Sequence, residues 1–182
     1  MERTTLLAQY RDQAIPALKA KFGYANVMQV PKLDKVVVNV GYGRHVKEKS
    51  YVEHVEKVLA AITGQKPIHH RARKSISNFK IRLGQPVGVS VTLRGKSMYE
   101  FVFKLIHLTL PRVRDFRGLP KTSCDPQGNY TIGFKEQLPF PEVTAEMSDI
   151  VHGLEVTIVT TAKSKEEGLA LLQALGLPLR EK

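Results

Sequence analysis

The chain predicts a two-layer α+β domain, with a mostly antiparallel sheet, helices on one face and the other face open. Three observations carry that expectation. Four segments alternate apolar and polar residues as half-buried strands do, helical stripes of apolar residues stand between them, and no internal repeat, low-complexity tract or linker interrupts the series. The 182 residues are enough to bury a real core, so residues 1–182 are expected to form a single domain.

Residues 4–22 place Leu6, Leu7, Tyr10, Ala14, Leu18 and Phe22 near helical spacing, and Gly23 stands where that helix would stop. Pro16 either kinks it or opens a second helix. A strand over 32–41 turns Val36, Val38 and Val40 inward and leaves Lys35, Val37 and Asn39 on the other face. The stripe Val52, Val55, Leu59 and Ile62 predicts a helix over 48–63, stopped by Gly64, which crosses to a short strand at 66–71. Residues 71–82, RARKSISNFKIR, lack a sustained period and read as a flexible basic loop.

From Gln85 the alternation returns, with Val87, Val89, Val91 and Leu93 on one parity and Gly88, Ser90, Thr92 and Arg94 on the other. A helix over 96–110 follows, burying Met98, Phe101, Val102, Leu105 and Leu108 and ended by Pro111. After the basic turn RVRDFRGLP, the signal Asp125-Pro126-Gln127-Gly128-Asn129 sets off a strand at 129–135 with Tyr130, Ile132 and Phe134 inward. Residues 138–150 are bounded by prolines and resist assignment. The last strand, 153–163, turns Leu154, Val156, Ile158 and Thr160 inward, and Ser164 with Glu167 forms a capping box for a helix over 165–175.

Charge narrows the partner. The formal net charge is +11 beside 42% hydrophobic residues, which describes a folded basic protein rather than a basic tail. Between Glu56 and Glu100 there is no acidic residue, while Lys57, Lys66, Arg71, Arg73, Lys74, Lys80, Arg82, Arg94 and Lys96 all lie there. A gap this long arises by chance in about one chain in five, so charge alone does not decide. The open face adds to it, because Asn39, Ser90, Thr92, Arg94, Thr157 and Thr161 collect there without a carboxylate, which suits a nucleic-acid backbone. No segment is long and apolar enough for a membrane span, no signal pattern opens the chain, and a cytoplasmic address is expected.

Candidate chemistry fails on spacing. Gly95-Lys96-Ser97 imitates the end of a phosphate-binding loop, but Ser90 stands where the motif requires glycine. Gly41-Tyr42-Gly43-Arg44 has no third glycine and reads as a turn. His69 and His70 point apart on a strand, and His45, His54, His107 and His152 have no metal-ligand spacing. Cys124 is the single cysteine, which excludes an internal disulfide or a cysteine-based zinc site. Glu136 and Glu142 lack a histidine or serine partner. No catalytic residue, metal or cofactor is expected; the alternative class is a free basic enzyme or regulator acting on RNA or nucleotides.

Several ordered motifs carry a resemblance. Leu59-Ala-Ala-Ile-Thr-Gly-Gln-Lys-Pro-Ile, Ala72-Arg73-Lys74-Ser75, Phe79-Lys80-Ile81-Arg82, Met28-Gln29-Val30-Pro31, Val89 through Gly95, Pro111 through Leu119, Gly128-Asn129-Tyr130 and Thr160 through Ser164 together resemble the ribosomal protein L five family. The resemblance spans nearly the whole chain. It implies a large-subunit protein that binds 5S rRNA beside the large-subunit rRNA and helps attach it to the central protuberance. The family's RNA-facing polar positions fall on Asn39, Gln65 and Thr92, two of which the strand parity places on the open face, and Lys66, Ser90 and Arg94 join them as candidate rRNA contacts. The family's mobile loop toward the peptidyl-site tRNA falls on 71–82, which nominates Arg71, Arg73, Lys74, Phe79, Lys80 and Arg82. A bridge to small-subunit ribosomal protein thirteen is sought around 111–118, with Arg112, Arg114 and Arg117, and around 134–150. Two departures stand out: His70 replaces a small hydroxyl residue, and Cys124 through Gly128 replaces a turn usually carrying Phe, Gly and Arg.

Overall fold

The computed structural model describes residues 5–46 and 48–180. The expected helix start at Thr4 lies outside the described residues. Five strands, β1 (Leu33–Gly41), β2 (Ile68–Arg71), β3 (Pro86–Leu93), β4 (Tyr130–Phe134) and β5 (Leu154–Thr160), form one sheet in the order β2-β3-β1-β5-β4. The pairing is antiparallel: Ile68 faces Ser90 and Arg71 faces Pro86 across β2 and β3. At one end of β1, Tyr42 N–H donates to Val87 O, and Arg94 meets Asp34 near the other. With the helices α1 (Leu6–Gln9), α2 (Ile15–Phe22), α3 (Lys49–Thr63), α4 (Gly95–Lys104) and α5 (Lys165–Ala174), the class is α+β, as the alternation predicts.

The described chain divides into two compact units. One holds residues up to Val36, Leu93–Ile132 and Thr157 onward; the other holds Val37–Thr92 and Gly133–Val156. In the first, α1 packs on α4 and α2 on α5 around Leu18, Leu33, Val36, Met98, Val102, Leu105 and Leu171. A π-turn at Tyr10–Ala14 joins α1 to α2 just ahead of Pro16, so the helix widens rather than ends where the missing proline N–H would break its ladder. Tyr10 closes the contact by donating its hydroxyl to Pro31 O at 3.1 Å.

A second π-turn, Leu105–Thr109, corrects the expected core of the fourth helix. The extra residue in that turn rotates Leu108 out to 50% exposure and brings Ile106, Thr109 and Leu110 inside. Pro111 then sits in a final 3-10 turn, Leu110–Arg112, rather than directly ending an α-helix.

The 124–128 turn has an internal task. Asp125 Oδ1 accepts from Asn129 N–H at 2.7 Å, Asn129 Oδ1 accepts from Thr160 N–H at 3.0 Å, and Thr160 Oγ1 donates to Gly128 O at 2.9 Å. Ser164 Oγ accepts from Glu167 N–H while Glu167 accepts from Lys163 N–H, so the capping expected at α5 is present. Burial raises the Glu167 carboxyl, but the N–H donors of Lys163 and Ser164 and the Tyr24 hydroxyl outweigh it and hold the group below its ordinary range. Cys124 is buried beside this turn; burial, then Asp125, pushes its thiol up.

In the second unit, Val38, Val40, Val89, Val91, Val55, Val58, Leu59, Ile62 and Val156 form the core. Gly64 takes a left-handed φ of 68° and stops α3, as expected. The segment without a sequence period, 138–150, is organised by Gln137. Fully buried, it donates to Ile150 O at 2.8 Å and to Met147 O at 3.3 Å, and accepts His152 N–H at 2.8 Å. The His152 ring is buried edge-on to His54, with ring centroids 6.1 Å apart.

Two outcomes follow from this packing. Gly168 lies against the backbone of Gly128, and a Cβ there would overlap Gly128 O and Cα, neither of which is a flexible side chain. Gly168→Ala is expected to lower stability by about 1–3 kcal/mol in a urea titration, whereas an alanine at Gly133, where a Cβ meets nothing, leaves that packing intact. The second concerns pH. Burial, and then the neighbouring His54, lowers the His152 pKa below its ordinary 6.5, so the unfolded chain binds a proton more readily. Stability from this site is therefore full above about pH 6.5 and is lost as pH falls toward the folded value. The drop in Tm between pH 7 and pH 5 is expected to shrink in His152→Gln; an equal drop in both proteins refutes the assignment.

Candidate nucleic-acid interface

The basic segment after β2 is a hairpin arm rather than a shapeless loop. Ala72 and Gln85 pair at its base, where Ala72 N–H donates to Gln85 O at 2.8 Å and Gly84 N–H to Ala72 O at 2.9 Å. Farther out, Ile76 and Ile81 exchange both backbone hydrogen bonds, at 3.0 and 3.2 Å. The tip is a 3-10 turn, Ser77–Phe79, closed by Lys80 in a left-handed conformation at φ 54°. Ser75 Oγ accepts from Leu83 N–H at 2.9 Å and Gln85 Oε1 from Arg82 N–H at 3.0 Å. Ser75 and Gln85 thus fix the backbone of the arm through their side chains.

Arg71, Arg73, Lys74, Lys80 and Arg82 are exposed along this arm, and among the described residues none has an ion pair within 4.0 Å. Phe79 is 71% exposed, and Ile76 and Leu83 are also uncovered. An arm that spreads cations and apolar side chains in solvent while satisfying its own backbone offers both charge for a polyanion and apolar faces for stacking.

The arm's base is held by a side-chain chain. Tyr42, buried at the end of β1, donates its hydroxyl to His69 Nδ1 at 2.9 Å, and His69 Nε2–H donates to Glu56 Oε2 on α3 at 3.3 Å. The direction follows from the carboxylate, which accepts only. Burial, then Glu56, raises the Tyr42 hydroxyl pKa. His70, on the opposite side of the strand, bonds Ser90 Oγ through Nε2 at 2.6 Å, so the two histidines do point apart.

That bond corrects the expectation for one open-face residue. Ser90 is 9% exposed and engaged by His70, whereas Thr92 on the same strand is exposed and Asn39 on β1 is half-buried. A large imidazole in place of a small hydroxyl reaches its diagonal cross-strand neighbour, Ser90 being paired with Ile68. Gln65 and Lys66 are exposed just after α3. Thr157, half-buried, shares a 3.2 Å hydroxyl contact with Thr131, and Thr161 binds the Lys32 backbone.

In the same unit as Thr157 and Thr161, Arg94 is exposed and reaches Asp34 at 3.9 Å. Arg112, Arg114 and Arg117 are exposed on a segment whose end is tied down by Leu119 N–H donating to Pro178 O and Arg180 N–H donating to Leu119 O, both at 2.8 Å. The turn at 124–128 spends its polar groups on Asn129, Thr160 and its own backbone. Among the described residues no three His, Cys, Asp or Glu side chains assemble as a metal site, and no helix is long and apolar enough to cross a membrane.

Comparison with known proteins agrees with the motifs. Residues 26–82 match the family model described as ribosomal protein L5, and residues 86–179 match the model for the C-terminus of the same ribosomal family. The large ribosomal subunit protein uL5 of Halothermothrix orenii is 49% identical over 178 residues, which cover 98% of this chain and 99% of the relative. Its counterparts from Dictyoglomus thermophilum and Caldanaerobacter subterraneus are 51% and 52% identical, over 97% and 95% of this chain. With both family models matched in order and half the residues shared over nearly the full length, the chain belongs to the ribosomal protein L5 family.

Proposed function

We propose that the chain is a structural constituent of the large ribosomal subunit that binds 5S rRNA, rests against large-subunit rRNA and helps attach the 5S RNA to the central protuberance. Its relatives are named as large-subunit proteins, and the family is structural rather than enzymatic. Its place of action is the ribosome, in the cytoplasm. The observation that carries the reading is the run of nine cations without a carboxylate between Glu56 and Glu100, much of it raised on an ordered arm without ion pairs.

Two surfaces divide the work in this reading. Asn39, Gln65, Lys66, Thr92 and Arg94 hold 5S rRNA, with Ser90 setting the strand beneath through His70. The arm, with Arg71, Arg73, Lys74, Phe79, Lys80 and Arg82, reaches the peptidyl-site tRNA by charge and stacking. Arg112, Arg114 and Arg117 supply the contact with small-subunit ribosomal protein thirteen in an intersubunit bridge.

Filter binding tests the first surface. Asn39→Ala, Gln65→Ala and Thr92→Ala are each expected to weaken 5S rRNA binding by about 1–3 kcal/mol with an unchanged thermal melt, and wild-type affinity is expected to fall steeply with salt. Full affinity in all three variants, with intact melts, removes this face as the site. Deleting residues 73–80 is expected to spare 5S rRNA binding and to lower tRNA retention on ribosomes carrying the variant. The reverse pattern makes the arm the primary rRNA anchor.

A further inference from the structure

A groove of about 800 Å³ opens beside the arm tip, and none of the candidate contacts above explains its far wall. That wall is the end of β1 at Gly41 and the turn after it, with Gly43, Arg44 and His45, together with Tyr51 of α3; the near wall is Phe79, Lys80 and Ile81 of the arm, with Gln85 at its base. The volume lies within the range of sites that hold nucleotide-sized molecules. Its lining is aromatic and cationic together. The His45 and Tyr51 rings stack with centroids 4.4 Å apart and planes 22° from parallel, and Phe79 shows most of its ring to solvent.

The glycines say that the space is not needed by the fold. Neither Gly41 nor Gly43 has a positive φ, and a Cβ built on either meets nothing within 4 Å, so no internal contact or backbone conformation requires glycine there. Bare backbone at these positions keeps the groove open to something outside the chain. The charges define what that is. Arg44 and Lys80 have no ion pair within 4.0 Å among the described residues, while the one lining carboxylate, Glu48, is engaged by His45 Nδ1 at 3.3 Å. Gln85, whose carboxamide oxygen is held by Arg82 N–H, offers a preset polar group at the same wall.

We propose that this groove accepts one unstacked base of a single-stranded RNA segment, held between Phe79 and the His45–Tyr51 stack, with Arg44 and Lys80 on the flanking phosphates. The proposal rests on the RNA-binding reading above and extends it to the turn after β1. Stacking against an aromatic side chain tolerates any base, and the cations track the backbone, so the occupant is defined by its being unpaired rather than by its sequence.

A short single-stranded RNA carrying one internal 2-aminopurine tests it with the full chain, because that base loses fluorescence when it stacks. Quenching on binding is expected, with affinity reduced about tenfold in Phe79→Ala and in His45→Ala. Gly43→Leu, whose added Cβ meets no protein atom within 4 Å, adds bulk to the groove wall and is expected to abolish the quenching while the melt is unchanged. Wild-type binding to 5S rRNA serves as the separate control. If 5S rRNA binds but the oligonucleotide is unquenched, or a duplex of equal length or an acidic peptide occupies the groove as well, the base-binding proposal falls and the RNA reading stands. If neither 5S rRNA nor the oligonucleotide binds at low salt, the RNA reading itself falls.

Discussion

The two-residue period of β1 from Val36 to Val40 is the constraint on which the rest depends. This strand lies at the centre of the sheet order, and Val36, Val38 and Val40 are all buried while Asp34, Lys35, Val37 and Asn39 are not. A slip of one residue would put three valines in solvent and a lysine and an asparagine in the core, an exchange worth several kcal/mol on burial alone. Register along β1 therefore fixes which residues of β3 and β5 can be polar. Thr92 on β3 owes its exposure to the same alternation that buries Val91 and Leu93.

That constraint also explains what could be read from residues alone. Strand existence, inward parity and the glycine stop of α3 were legible, because each depends on a local pattern that the tertiary structure reinforces. Leu108 was not, since a π-turn changes helical register by a residue without changing any local propensity. Ser90 was misjudged for a different reason: its parity was right, but a cross-strand histidine lies over it, and pair contacts between strands are invisible until the register is known. Gln137 carried no signal at all. Its three hydrogen bonds span from Met147 to His152 and substitute for secondary structure where the chain has none.

The arm shows how the candidate site combines order with exposure. The lack of a period suggested a flexible basic loop, whereas the Ile76 and Ile81 pairing and the Ser75 and Gln85 side-chain bonds give the segment a defined backbone. In the proposed RNA-binding role, cations held on such a backbone lose less conformational entropy on association than cations on a disordered chain. The Tyr42, His69 and Glu56 chain serves the same end from below, tying the end of β1, the strand that launches the arm and helix α3 to one another.

Cys124 gives the turn beside α5 a further property. The thiol is buried, its ionisation is discouraged by burial and by Asp125, and it is the only sulfhydryl in the chain. Thiolate, the nucleophile that reacts with alkylating reagents, is then scarce in the native state, and the sulfur, 3.9 Å from Lys165 O, is reached when this corner opens. The protein carries a built-in clock for the opening of that corner: a single-site chemical reporter that reads local unfolding without any label being introduced.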